Sequence, residues 1–229
     1  MANVSLQISQ LPLYHGPIVR IRIGGQTYNV SKRLLCYHSL YSRRMFEGKS
    51  EDANEQSTEL KEVHGVVSNR SFELLLQWLY LGRLFLAHEA SSTDEITAMI
   101  ELARLADMVE IKDTGMDAEI AKYTRETALS SLLLDEMDEM AKKIKKANIH
   151  HITPGHLHAA SYLPKGHSIR LLLAKASIDA YLHSEDFKFS NKIHEVPEFA
   201  ADLLQELREA PSRVWRSGAR ERASPTGDI

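Results

Sequence analysis

The sequence predicts an α+β fold: a short sheet flanked by a cluster of helices, then an all-helical C-terminal region. Three observations carry this. Val19, Ile21 and Ile23 alternate with Arg20 and Arg22, the period of a half-buried strand. Phe72, Leu75, Leu76 and Leu79 recur at the i, i+3, i+4, i+7 spacing of an amphipathic helix. Beyond residue 128 the periodic stretches have helical spacing.

In chain order, residues 1–16 read as a flexible lead-in. Ile18–Ile23 is a strand, Gly24-Gly25 supplies the positive φ of a tight hairpin, and Thr27–Val30 is its return strand with Tyr28 and Val30 on one face. Ser31 caps a short helix over Lys32–Cys36. Ser39 opens a second helix with Leu40, Tyr41, Met45 and Phe46 near helical spacing and Arg43 and Arg44 outward, ending at Gly48. Lys49–Ser57 is polar and acidic and is expected to be an exposed loop, followed by a third strand over Thr58–Val63. Ser68 or Asn69 caps the Phe72–Leu79 helix, and Gly82 stops it. Ser92 with Glu95 forms a capping-box pattern, opening a helix with Ile96, Met99, Ile100, Ala103 and Ala106 on one face. Glu110–Arg125 is expected to be helical, with a turn near Gly115.

In the second half, Asp138 and Glu139 precede Lys142 and Lys143 at i,i+4, and Leu133, Met137, Met140, Ala141 and Ile144 form the apolar stripe of one helix. Thr153-Pro154 is a cap followed by proline at the first helical position, opening a helix to Tyr162. Further helices are expected over Ile169–Leu182 and Phe199–Leu207, with a disordered tail over 211–229.

Composition narrows function. The chain has 229 residues, 43% hydrophobic and 26% charged, with net charge −3. That balance excludes a chain built to coat nucleic acid or anionic lipid. The single cysteine, Cys36, excludes a disulfide framework and any multi-thiolate zinc site. Neither a signal peptide nor an apolar run near the roughly 18 residues of a membrane-spanning helix is recognisable. An intracellular protein, cytoplasmic or nuclear, is expected.

Chemistry-bearing patterns are thin. The Gly24-Gly25 pair lacks the spacing of a dinucleotide-binding loop and precedes a strand. His150, His151, His156, His158 and His167 invite a metal reading, but His156 and His158 diverge by about 200° on a helix, and no acid lies between Lys146 and Lys165. Cys36, flanked by Leu34-Leu35, reads as a small core residue rather than a nucleophile. No catalytic, metal or cofactor residues are assigned. Two rival functions stay open: a metal protein or enzyme using the histidines, and a nucleic-acid-associated regulator using Arg213, Arg216, Arg220 and Arg222 beside Trp215.

Five stretches in order resemble the BTB/POZ domain. Ile18–Gly24 looks like its first strand. Tyr28-Asn29-Val30-Ser31-Lys32-Arg33-Leu34-Leu35 is similar to its "F-x-V-h-K-x-x-L" stretch, and Ser39–Phe46 to its "S-x-x-F-x-x-M-F" helix. Phe72–Leu84, with Trp78-Leu79-Tyr80-Leu81-Gly82, resembles "F-x-x-x-L-x-W-L-Y-T-G-x-L", and Leu102–Ile111 resembles "L-Y-x-L-A-D-K-Y-x-I". The domain is expected at 17–127, with a helical domain at 128–210 that looks like the extension of filamentous-fungal members. Ile23–Tyr28 is also similar to the tetramerising T1-type branch; Trp78–Leu84 fits the ordinary branch better.

The resemblance implies a protein-interaction scaffold without catalysis, one that self-associates or binds partners, and an adaptor role toward cullin-3 ubiquitin ligases. Partner contacts are expected at Tyr41, Met45, Phe46, Glu51 and Tyr80, with plain core packing the competing reading for Phe46, Trp78 and Tyr80. The sequence departs from the pattern in three places. Ser31 replaces the usual His, Pro17-Ile18 stands where an Asp opens the first strand, and Lys49-Ser50-Glu51 lacks the hydrophobe that precedes Glu in cullin-binding members.

Overall fold

The computed structural model describes residues 11–49, 51–86, 90–111, 114–129, 149 and 151–221. The chain divides into two compact units, Met1–Thr127 and Ala128–Ile229.

The first unit is built on a three-stranded sheet. β1 (Ile18–Ile23) lies in the middle, antiparallel to β2 (Gln26–Ser31) and parallel to β3 (Ser57–Leu60), with Val19 opposite Val30 and Ile21 opposite Thr58. Val19, Ile21 and Ile23 are buried and Arg20 and Arg22 exposed, as the alternation demands. Of the hairpin glycines only Gly24 takes a positive φ, +55°. A short helix, α1 (Leu11–Tyr14), precedes the sheet.

The path from β2 to β3 runs through α2 (Lys32–His38), α3 (Leu40–Glu47) and α4 (Glu51–Glu55). α4 occupies ground expected to be loop; Glu51 and Asp52 open it, where the helix dipole favours acids. β3 begins one residue before the expected Thr58 and stops at Leu60, with Val63 instead bridging Val67. Ser31 and Ser39 are the N-caps of α2 and α3, their hydroxyls accepting from Leu34 N and Ser42 N.

α5 (Asn69–Leu81) starts at Ser68 with a reciprocal capping box to Ser71 and ends at left-handed Gly82. Phe72, Leu75 and Leu79 are buried as expected, but Leu76 is only half-buried and Leu74 is buried instead. The cause is tertiary. α5 packs against both α2 and α6 (Ser92–Met108), so its covered arc turns toward Ser71 and Leu74. α6 is capped by Ser91, one residue before the expected Ser92. Glu95, the expected capping-box partner, instead accepts a 3.0 Å bond from Thr127 Oγ1 of α7 (Thr114–Leu129). α7 begins after the expected Glu110, because Glu110 itself takes a φ of +51° and leaves helical geometry.

The second unit contains α8 (Pro154–Ser161), α9 (Ser168–His183), α10 (Ser190–Glu195) and α11 (Pro197–Glu221). α11 extends beyond the expected Phe199–Leu207 and covers 211–221, which the sequence reading assigns to a disordered tail. The helix expected around Leu133–Ile144 lies outside the described residues. Phe187, Phe189 and Phe199 meet edge-on in series at 5.6 and 6.2 Å. At the α9–α11 contact Arg170 Nε meets Asp202 Oδ2 at 2.8 Å, with the two side chains only 7% and 5% exposed. The Lys188 ammonium donates to the Ile149 and Ile152 carbonyls at 3.0 and 2.8 Å, securing the approach to α8. Among the described residues no helix is long and apolar enough to cross a membrane.

Candidate protein-interaction surface

α3 is clamped to the end of α6. Ser39 Oγ donates to Val109 O at 2.6 Å while accepting from Ser42 N at 2.9 Å. Leu40 N donates to Glu110 O at 3.3 Å, and Arg44 Nη1 meets Glu110 Oε1 at 2.6 Å. The left-handed backbone of Glu110 therefore serves the clamp, presenting carbonyl and carboxylate to the same helix. Gly48 ends α3 in close quarters: a Cβ there would lie 2.4 Å from Arg44 O.

On this anchored helix Tyr41 and Met45, at i and i+4, are both half-exposed and border a cleft with Thr58, Leu60 and Val109. The cleft holds about 20 Å³, room for about one water and not for a substrate. Phe46, expected on the contact surface, is only 2% exposed. Its ring belongs to the core, since α3 needs one large anchor against the sheet side. Tyr80 sits elsewhere: its hydroxyl accepts a 2.9 Å bond from Ser31 N, and its ring packs 5.9 Å from Tyr14. With Ser31 Oγ donating to Leu13 O at 2.6 Å, Tyr80 ties α1, β2 and α5 together. Glu51 stands at the first position of α4. The structure thus brings Tyr41 and Met45 together and places Tyr80 apart from them.

Cys36 is buried with its Sγ 3.7 Å from Ser42 O. Burial, reinforced by Glu47, pushes its thiol up to about 11, so it stays protonated at neutral pH. Three of the histidines take local roles, and His150 lies outside the described residues. His156 is buried in a capping box, its Nδ1 accepting from Thr153 N at 3.1 Å. His158 stands 3.2 Å from the Tyr162 hydroxyl, and His167 caps α9, accepting from Ile169 N at 3.2 Å. Among the described residues no group of three or more His, Cys, Asp or Glu converges on a common point that could hold a metal.

Sequence reasoning missed the Arg170–Asp202 pair. A signal existed: each is an ionisable residue set among apolar positions, Arg170 beside Ile169 and Leu173, Asp202 beside Phe199 and Leu203.

The family model for the BTB/POZ domain matches residues 19–122, from β1 into α7. Residues 19–122 form a BTB/POZ domain. No curated protein matches the chain. A BTB/POZ domain is generally a protein–protein interaction module that binds other proteins or itself. The three-stranded sheet with its surrounding helices is this domain, and a helical region follows it. An interaction role agrees with the geometry: apolar and aromatic side chains at the surface of a fixed helix, and a cleft too small for a ligand.

Proposed function

We propose that the chain is a scaffold whose BTB/POZ domain self-associates or docks partner proteins through the Tyr41–Met45 face of α3 and the adjoining α4, where Glu51 stands. The observation that carries this reading is the pairing of two half-exposed apolar residues on a helix held rigid by Ser39 and Arg44. Rigid presentation lowers the ordering cost of association. Phe46 supports this face from the core of the domain.

Light scattering of the full chain, followed by affinity capture with Tyr41→Ala/Met45→Ala as the paired control, tests it. An oligomer that dissociates in the double variant supports homotypic contact. A monomer that captures a discrete partner only in the wild-type form supports docking. A monomer with identical captures in both forms refutes the surface.

Within this reading cullin-3 is the named partner to test, which would make the scaffold a ubiquitin-ligase adaptor. The polar Lys49 in place of a hydrophobe forgoes about 1.5–3 kcal/mol of apolar burial. Absence of cullin-3 binding at tens of micromolar removes the adaptor role and leaves the scaffold.

A further inference from the structure

The sheet leaves one edge bare. β2 is an outer strand, and its even-numbered residues bond toward β1: Tyr28 stands opposite Ile21, Val30 opposite Val19, and Lys32 N just beyond donates to Pro17 O at 2.9 Å. In an antiparallel ladder the residues between them turn N–H and C=O outward. Ser31 has that parity, and its N–H goes to the Tyr80 hydroxyl at 2.9 Å instead of to β1. Thr27 and Asn29 share it, both are exposed, and among the described residues no other element bonds their backbone. Sheet edges are ordinarily blunted by charge, proline or a bulge. β2 has neither charge nor proline, and its register with β1 is unbroken over six residues. β3, the other edge, is four residues long and carries Glu59.

The side chains beside the bare edge are cationic. Arg22 lies opposite Thr27 and Arg20 opposite Asn29, on the exposed face of the sheet. Alternate residues of a strand stand about 7 Å apart. Arg22 meets Glu59 loosely, at 3.4 Å with both side chains mostly exposed, and Arg20 pairs with no acid among the described residues. Thr27 and Asn29 are short, so they do not screen the arginines from a strand laid along the edge.

We infer that the free edge of β2 takes up an extended acidic segment of a partner protein as a fourth strand, with glutamates opposite Thr27 and Asn29 and an apolar residue between them. Charge complementarity selects the occupant. Residues opposite Thr27 and Asn29 send their side chains to the arginine face, about 10 Å or two strand spacings from β1, a gap that arginine and glutamate bridge together. The residue between them lies beside Tyr28, whose ring is held edge-on to Phe72 at 5.1 Å. Main-chain bonds supply affinity and alternate side chains supply selection. A second copy fits less well, since β2 carries no acid and pairing two copies gathers four arginines on one face. This rests on the scaffold reading and uses a surface apart from the Tyr41–Met45 cleft, which borders β3.

The test is fluorescence anisotropy of the full chain with a labelled peptide of about ten residues, alternating Glu with Val and Tyr. A second peptide of the same sequence is N-methylated on the amides that would meet β2, which removes ladder bonds and keeps the charge. Asn29→Pro deletes an outward N–H that β1 does not use, a change edge strands tolerate. Binding should weaken at least about tenfold with N-methylation, with Asn29→Pro and with Arg20→Glu/Arg22→Glu, and should fall with salt. At saturation the Thr27 and Asn29 amides should slow in hydrogen exchange. Lys165→Glu, an exposed charge in the second unit, should bind as wild type. Circular dichroism checks folding; should Asn29→Pro not fold, the methylated peptide and the arginine variant decide. Equal binding of the two peptides, or unchanged exchange at Thr27 and Asn29, overturns strand addition. An assembly by light scattering that is lost in folded Asn29→Pro gives the edge to a second copy and overturns the acidic segment. A wild-type chain that never binds the peptide overturns the site; if it still assembles or captures partners through Tyr41 and Met45, the scaffold reading stands.

Discussion

Removing Asp202 should destabilise the second unit far more than its short side chain suggests. Arg170 and Asp202 are paired at 2.8 Å with almost no solvent access. Nη1 of Arg170 also donates to Leu163 O at 2.9 Å and Nη2 to Glu198 O at 3.4 Å. The guanidinium therefore joins α9 to α11 and to the turn after α8. In Asp202→Ala those carbonyls remain, but the carboxylate on Nε is gone and a full charge stays buried. Breaking such a pair from one side costs about 3–5 kcal/mol, which is about 150- to 5,000-fold in the folding equilibrium. Against a typical stability of about 5–15 kcal/mol that is a large share. Replacing both partners by apolar residues of similar volume, Arg170→Met/Asp202→Leu, should recover most of the loss, since the desolvation cost vanishes along with the attraction. Urea unfolding followed by far-UV circular dichroism reads both, provided the two units are fitted as separate transitions if they separate. If Asp202→Ala lies within about 1 kcal/mol of wild type, or the double variant is as damaged as the single, the pair does not hold the helices as argued.

Three further outcomes follow from the first unit. Leu75→Ala should cost about 2–5 kcal/mol, because Leu75 is 2% exposed, and Leu76→Ala clearly less; equal losses by denaturation would mean the buried arc of α5 is misplaced. Gly48→Ala should lose about 1–3 kcal/mol, seen as a lowered Tm, since its Cβ meets the Arg44 carbonyl; an unchanged Tm would show that the α3 terminus yields freely. Cys36 should resist iodoacetamide in the folded protein at pH 8 and react on unfolding. Because the fold holds the thiol proton more tightly than the unfolded chain, with a pKa near 11 against an ordinary 9.0, its stabilising contribution is complete below about pH 9 and is lost as pH climbs through 11. Rapid alkylation of the native state would contradict its burial.

Local signals in the sequence account for the hairpin, the Ser31 and Ser39 caps, the Ser68 and Gly82 ends of α5, and the Thr153-Pro154 start of α8. Each depends on a few neighbouring residues: an alternating run, a hydroxyl before a helix, a glycine where φ turns positive. The motif order over Ile18–Ile111 was legible for the same reason, being a string of such local patterns. Tertiary contact decided what periodicity leaves degenerate. Leu74 and Leu76 are equally apolar, and only the position of α6 buries one and half-opens the other. Glu95 follows Ser92 at capping-box spacing, yet Thr127, 32 residues on, claims its carboxylate. Met45 and Phe46 are adjacent in one apolar stretch, and the sheet beneath α3 determines which ring becomes core and which side chain borders the cleft. Arg170 and Asp202 are 32 residues apart, and their union exists only because α9 and α11 pack side by side. Sequence speaks through bonds reached within a turn or two of chain; burial is a property of what arrives from far along it.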